Sequence, residues 1–180
     1  PASAISSTKP ISVTVTGDTA DEINETYTVN LSNAPGGPVI ADASGLGTIS
    51  DDYAPPSVAF STAAQAVTEG SGAGTTSVTI TANLSAVSGQ TVTVLYTVGG
   101  TANSADHNAG NGSLGITAGS LYQGFSFPVQ RDTTSGPNET VVFTMGTPTN
   151  ATVGSPATET VTINDDDTPP ANTTNGPPAR

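Results

Sequence analysis

The sequence predicts an all-β protein with a Greek-key, immunoglobulin-like β-sandwich fold. Apolar and polar residues alternate over several short segments, for example VTVLY at residues 92–96 and TVTI at 160–163. Such alternation puts the apolar side chains on one face of a strand. No segment repeats apolar residues at helical spacing over several turns, and turn-forming residues separate the segments at short intervals. This combination is typical of a sandwich built from short antiparallel strands.

Strands are expected where β-branched or aromatic residues alternate with polar ones. The segments that carry this pattern are residues 11–15, 27–31, 77–81, 92–96, 125–129, 141–145 and 160–163. Pro128 falls inside one of them, and proline has no N–H group to donate to a neighbouring strand. We therefore expect that strand to lie at a sheet edge or to contain a bulge.

An internal repeat sets the domain organisation. Asp132 lies 114 residues after Asp18, and Ile163 lies 114 residues after Ile49, so the two copies align without a gap. This period is close to the length of one sandwich domain of roughly 100 residues. The second copy, at residues 57–167, is predicted to be a complete sandwich. The first copy, within residues 1–52, is predicted to hold only the last three strands of one.

The remaining segments are predicted to be connections. Residues 53–56 contain two prolines and form a short, stiff joint. Residues 168–180 are rich in Pro, Asn and Thr and have no apolar periodicity, which indicates a linker or tail. Since half a sandwich cannot bury its apolar face alone, we expect a flanking repeat or a neighbouring copy of the protein to supply the missing strands of the first unit.

The charge balance excludes two classes of partner. Only three Lys and Arg residues oppose fifteen carboxylates, which gives a net charge of -12. This surface repels nucleic acid and anionic membranes and favours metal cations. We also expect no membrane insertion, because no run of 18 apolar residues is present. Residues 1–4 have none of the features of a signal peptide, so an exported protein would have its signal upstream or already removed.

Two further features concern modification and cross-linking. The chain has no cysteine, so disulfides play no part in its stability. It carries seven Asn-x-Ser/Thr sequons, which are candidate glycan acceptors if the protein is exported. They begin at Asn24, Asn30, Asn83, Asn111, Asn138, Asn150 and Asn172.

Four motifs in the second unit resemble those of the Calx-beta family, in the family's order. They are VTEG at residues 67–70, GTA at 100–102 followed by Asp106, NATVG at 150–154, and INDDD at 163–167. The first unit carries only the later motifs. The resemblance implies an extracellular, cell-surface or secreted repeat protein whose sandwiches bind calcium at one end, next to the following domain.

The resemblance also implies which residues bind Ca²⁺, a cation that prefers loop carboxylates and carbonyls. The candidate ligands of the first unit are Asp18, Asp21, Glu22, Glu25, Asp51 and Asp52. Those of the second unit are Glu69, Asp106, Asp132, Glu139, Asp165, Asp166 and Asp167. Zinc is not expected, since His107 is the single His and there is no Cys. The alternative is that these acidic turns are simply solvated.

The second unit departs from the family pattern at two positions. Arg131 stands where the family has an Asp, and Gly136 stands where it has a Glu. Calcium is expected in the first unit. In the second unit two alternatives remain: a calcium ion, or the Arg131 guanidinium paired with Asp106, Asp165 or Asp166 in its place. His107 replaces the family's usual Tyr and is expected to be a surface residue.

These observations predict a non-enzymatic structural or adhesive module of a large cell-surface repeat protein, stiffened by calcium. No pairing of a nucleophile with a base and no cofactor motif is present, so no catalytic residue is predicted. An alternative is an extracellular filament subunit that donates residues 10–52 to a neighbouring copy. A third class, carbohydrate binding through a sandwich face, has little aromatic support, because Tyr and Phe total eight.

Overall fold

The structure, a computed structural model, describes residues 8–32, 36 and 39–170. This part of the chain is all β, without a helix, and therefore contains no helix able to cross a membrane. The tail from residue 171 onward, with the sequon at Asn172, lies outside the described residues. The strands are β1 (Glu25–Asn30), β2 (Ser44–Ile49), β3 (Ser57–Phe60), β4 (Ala64–Thr68), β5 (Thr75–Leu84), β6 (Val92–Gly100), β7 (Gly112–Ile116), β8 (Tyr122–Gln130), β9 (Glu139–Met145), β10 (Thr152–Val153) and β11 (Thr158–Asn164).

The chain divides into two compact units, and the second consists of residues 20–22 and 52–180. Its strands form a four-stranded sheet in the order β10-β3-β5-β8 and a five-stranded sheet in the order β4-β11-β9-β6-β7. Strand β4 runs parallel to β11, and β11 runs antiparallel to β9. The predicted all-β sandwich class is confirmed.

The core of the second unit lies between these sheets. Its buried apolar side chains come from β3, from β5 to β9, and from β11, as the alternation of the sequence predicts. Phe143 is fully buried and makes edge-to-face contacts with the rings of Tyr96 at 5.9 Å and Phe125 at 5.6 Å. These aromatic contacts give β9 a central place in the core.

Strand β8 confirms the expectation drawn from Pro128. It is the outermost strand of the four-stranded sheet, and β5 is its one partner strand there, with Pro128 opposite Ser77. On its other side β8 has an isolated bridge between Val129 and His107. A proline is tolerated there because its missing N–H group leaves no ladder partner unpaired on the open side.

The first unit, residues 1–19 and 23–51, contains the two-stranded antiparallel sheet of β1 and β2. Its register repeats that of β9 and β11: Tyr27 lies opposite Gly47, as Val141 lies opposite Val161, 114 residues later. A Tyr–Gly pair fills nearly the same volume as a Val–Val pair, so this face keeps the side-chain volume of a core face. The repeat detected in the sequence is therefore present in the strand register.

Residues 11–15, predicted to form a strand, are not in one, and Ile11 is 63% exposed. Their counterparts at residues 125–129 belong to β8, which pairs with β5. The described part of the first unit contains no counterpart of β5, and residues 11–15 pair with no strand there. In place of the three expected strands, the described part of the first unit has two.

Candidate metal centre

The parallel pairing of β4 with β11 brings together acidic residues that are far apart in sequence. Thr68 is the register partner of Asn164, and the next residue, Glu69, donates its backbone N–H to the Asn164 carbonyl at 3.2 Å. Parallel strands end at the same edge of a sheet. The acidic residues that follow β4 and β11 therefore lie at one end of the sandwich.

Three of these carboxylates form a compact group. One oxygen each from Glu69, Asp165 and Asp167 lies within 4.8 Å of the other two. Glu69 is only 9% exposed. Asp167 accepts a hydrogen bond from Ser71 Oγ through Oδ1 at 2.9 Å, whereas its buried Oδ2 has no hydrogen-bond partner among the described residues. A buried carboxylate oxygen without a partner is costly unless a cation or a proton joins it.

Electrostatic repulsion in this group is visible at Glu69. Burial raises the pKa of its carboxyl above the ordinary value, and the negative charges of Asp132, Asp165, Asp167 and Asp166 raise it further. Several carboxylates that disfavour one another's ionisation in this way are stabilised when a divalent cation binds between them.

Backbone N–H groups hold the acidic loops in place around the three carboxylates. Gly70 donates to Asp166 Oδ1 at 3.2 Å, and Gly136 donates to Asp165 Oδ2 at 2.7 Å. Asp167 donates its own N–H to Asp165 Oδ1 at 3.1 Å. Gly136 thus contributes an N–H donor where the family pattern has a carboxylate, and this contact orients Asp165.

Asp106 and Glu139 form a second acidic pair. Burial raises the pKa of Glu139, and the hydrogen bond and charge of Asp106 raise it further. Asp106 also accepts a hydrogen bond from the Asn103 N–H through Oδ2 at 2.6 Å. This pair is not part of the group of three carboxylates among the described residues.

The Arg131 side chain does not enter the acidic group. Its Nε donates to Thr76 Oγ1 at 3.1 Å, and its guanidinium lies against Gly70, whose φ of +86° favours glycine. Among residues 8–32, 36 and 39–170 it forms no ion pair. The alternative in which its guanidinium pairs with Asp106, Asp165 or Asp166 therefore does not describe this structure.

The candidate ligands of the first unit do not form a matching group. Within the described part of the chain, the group in the second unit is the one set of three metal-ligating side chains close enough to share an ion. The repeat explains the difference: Asp51 is the counterpart of Asp165, but Tyr53 is the counterpart of Asp167 and Glu69 has none.

Four other acidic residues predicted as ligands lie as follows. Asp21 belongs to the second unit, is 5% exposed and accepts a hydrogen bond from Gln90 Nε2 at 3.3 Å. Glu25 begins β1, while Asp18 and Glu22 precede it. None of these residues lies within a group of three metal-ligating side chains among the described residues. Asp52, a fifth predicted ligand, also belongs to the second unit.

His107 is buried, contrary to the expectation of a surface residue. It is 8% exposed, its ring packs against Phe127, and its Nδ1 accepts a hydrogen bond from the Ala109 N–H at 3.0 Å. These contacts give the residue a packing role.

Sequence reasoning missed the Ser71 hydroxyl and the buried carboxyl of Glu159. Nothing in the sequence marks Ser71 as part of the site, because its hydrogen bond to Asp167 depends on a loop conformation. The burial of Glu159 could have been predicted. It is two residues from Val161 and four from Ile163, so alternation places it on the same inward face.

The fold and the acidic group define a β-sandwich with a candidate cation site at one end. The sequence matches the family model of the Calx-beta domain over residues 5–46 and 51–167. The chain belongs to the Calx-beta domain family. No curated protein sequence matches it.

Several solved structures with a similar fold are domains of Calx proteins. The crystal structure of CBD12 from CALX1.2 is 21% identical with a TM-score of 0.55, and the match covers 61% of this chain and 44% of that one. The apo-form Calx CBD1 domain is 20% identical with a TM-score of 0.55, covering 62% and 98%. The Calx CBD2 domain is 14% identical with a TM-score of 0.53, covering 61% and 86%. These similarities concern the fold alone.

Proposed function

We propose that this chain is a calcium-binding, non-enzymatic structural module, and that its second unit binds Ca²⁺ between Glu69, Asp165 and Asp167. The observation that carries the proposal is the buried, unpartnered Oδ2 of Asp167 beside two further carboxylates. Oxygens that bind one calcium ion lie at most about 5 Å apart, since each is about 2.4 Å from the ion. The separation of 4.8 Å fits that limit.

The surrounding groups support a cation more than a bound anion or a substrate. Asp132 and Asp166 add negative charge near Glu69, and the Arg131 guanidinium bonds to Thr76 instead of to these carboxylates. Bound calcium would neutralise this repulsion, tie the end of β4 to the loop after β11, and stiffen that end of the sandwich. No pairing of a nucleophile with a base supports a catalytic role among the described residues.

The wider setting that we propose is a repeat of a large extracellular or cell-surface protein, with a structural or adhesive role. The identical registers of β1–β2 and β9–β11 support a tandem repeat. On this proposal a flanking repeat supplies two strands to the first unit, one parallel to β2 and one antiparallel to β1, as β4 and β6 do in the second unit. Calcium binding by the first unit would then need a carboxylate from that repeat.

Calcium titration of the full chain tests the metal site. We expect calcium to raise the melting temperature, with a stabilisation of about 2.7 kcal/mol at a hundredfold excess over Kd. Asp167→Asn keeps the shape of the side chain and should abolish most of this gain. Asp42→Asn removes the same charge outside the acidic group and should keep it. An unchanged melting temperature in millimolar calcium, or equal calcium binding by Asp167→Asn and wild type, would refute the site.

A further inference from the structure

A carboxyl group is buried in the core of the second unit, away from the acidic group. Glu159 lies in β11 and is 0% exposed. Alternation places its side chain on the same face as Val161, and its cross-strand partner is Phe143, both also fully buried. An acidic side chain in such surroundings is rare unless it is paired or protonated.

One hydrogen bond connects this carboxyl to the edge of its sheet. Gln65 on β4 donates through Nε2 to Glu159 Oε1 at 2.7 Å and to the Thr79 carbonyl of β5 at 3.1 Å. Glu159 Oε2 is buried and has no partner among the described residues. Gln65 thus joins β4 to β11 in its own sheet and to β5 in the opposite sheet.

Within residues 8–32, 36 and 39–170, no charged group compensates a negative charge on Glu159. The other titratable residues on the strands of the second unit are Tyr96 on β6, Tyr122 on β8 and Glu139 on β9. Tyr122 is 68% exposed, and Glu139 lies opposite Ile163, four residues along from Phe143. Burial raises the pKa of Glu159, the hydrogen bond from Gln65 lowers it in part, and no neighbouring charge contributes.

We propose that Glu159 and Gln65 form a proton-dependent lock that holds the edge strand β4 on β11 while Glu159 carries its proton. A protonated carboxyl accepts the Gln65 hydrogen bond without placing a charge in this apolar site, although its hydroxyl has no acceptor among the described residues. An ionised one is left with a single donor and loses its hydration. Since β4 ends its sheet and has β11 as its one partner there, it is the strand that is released when the charge forms.

The direction of the pH dependence follows from the raised pKa. The folded state keeps the Glu159 proton at pH values where the unfolded chain has lost it. The contribution of the lock to stability is therefore complete below the ordinary Glu pKa, and it declines as the pH rises through the folded pKa. The second unit accordingly holds β4 more firmly in mildly acidic solution than in alkaline solution.

Hydrogen exchange of the full chain tests the lock, with chelator present so that the result does not depend on the proposed calcium site. We expect β4 amides, corrected for intrinsic exchange, to lose protection as the pH rises from about 5 to about 9. The loss should be roughly tenfold for each unit by which the folded pKa exceeds the unfolded one. Glu69, one residue after β4, also has a raised pKa, so the variants are compared in a Glu69→Gln background. In that background Glu159→Gln should make the protection of β4 nearly independent of pH, whereas Glu25→Gln, which removes an exposed carboxylate, should leave the pH dependence unchanged.

Two results would overturn the proposal. One is the same pH-dependent loss of β4 protection with and without Glu159→Gln in the Glu69→Gln background. The other comes from carbon-13 NMR of the wild-type chain, which does not depend on the folding of a variant: a Glu159 carboxyl that titrates as an ordinary exposed Glu would exclude a protonated lock.

Discussion

Glu69 and Asp167 follow the two strands that pair in parallel at one edge of the second unit, and their carboxylates lie in the same group of three. Glu69 comes one residue after β4, and Asp167 comes three residues after β11. Their proximity depends on the parallel ladder and on the Ser71 hydrogen bond that orients Asp167. The candidate site therefore depends on the pairing of β4 with β11, which are the first and last strands of this sheet in the sequence.

Calcium binding is expected to weaken as the pH falls. The pKa of Glu69 is raised, so the metal-free group takes up a proton at a higher pH than an ordinary Glu, and calcium must displace that proton. Titration calorimetry at several pH values should give an affinity that increases with pH and levels off above the pKa of Glu69. Glu69→Gln should weaken binding by at least about tenfold, or ~1.4 kcal/mol, and reduce this pH dependence. Full pH dependence in the variant would assign the proton to another group.

Arg131 is expected to contribute to the stability of the second unit and not to its affinity for calcium. Arg131→Met removes the Nε–H group that donates a hydrogen bond to Thr76 Oγ1. This loss should lower the free energy of unfolding by up to about 1 kcal/mol and should change the calcium affinity by less than about threefold. Thr76→Val removes the same bond from the other side, together with the hydrogen bond that Thr76 Oγ1 donates to the Glu69 carbonyl at 2.6 Å. Urea unfolding of both variants and of the double variant should show that the losses do not add. A large gain in calcium affinity in Arg131→Met would instead mean that its guanidinium competes with the metal.

Gly100 is required by its backbone conformation and by a close neighbour. Its φ is +121°, and a Cβ atom there would collide with the carbonyl oxygen of Thr140, which accepts the N–H groups of Thr101 and Ala102. Gly100→Ala should lower the free energy of unfolding by at least about 1 kcal/mol. Gly99→Ala is the matched control, since a Cβ there meets nothing within 4 Å. Equal stability of the two variants in urea unfolding would contradict this account.

The hairpin of β1 and β2 is expected to be far less stable than its copy in the second unit. The two have the same register, but Tyr27 and Gly47 are only partly buried, whereas their counterparts Val141 and Val161 are fully buried. A two-stranded sheet without a buried face is marginal in water. Hydrogen exchange of the full chain should show rapid exchange in β1 and β2 and strong protection in β9 and β11. Comparable protection of both pairs would mean that the first unit is covered by another surface.

Much of the architecture was predictable from the sequence because it depends on local patterns. Alternation located the core strands β5, β6, β8, β9 and β11, since the side-chain period of a strand is fixed by its pleat. The offset of 114 residues placed two copies of one motif in the chain, and the strand registers repeat with that offset. Strands β4 and β7 were missed because their sequences, AQAVT and GSLGI, have few β-branched residues.

Sequence by itself determined the sandwich class, the repeat and an acidic set that includes all three residues of the candidate site. Only the tertiary structure selected Glu69, Asp165 and Asp167 from that set, because the selection depends on the parallel register of β4 with β11. The tertiary structure also decides that Arg131 forms a hydrogen bond with Thr76 and not with the carboxylates. The physical reason is that periodicity fixes which face a side chain occupies, whereas contacts between distant residues depend on strand pairing and loop conformation.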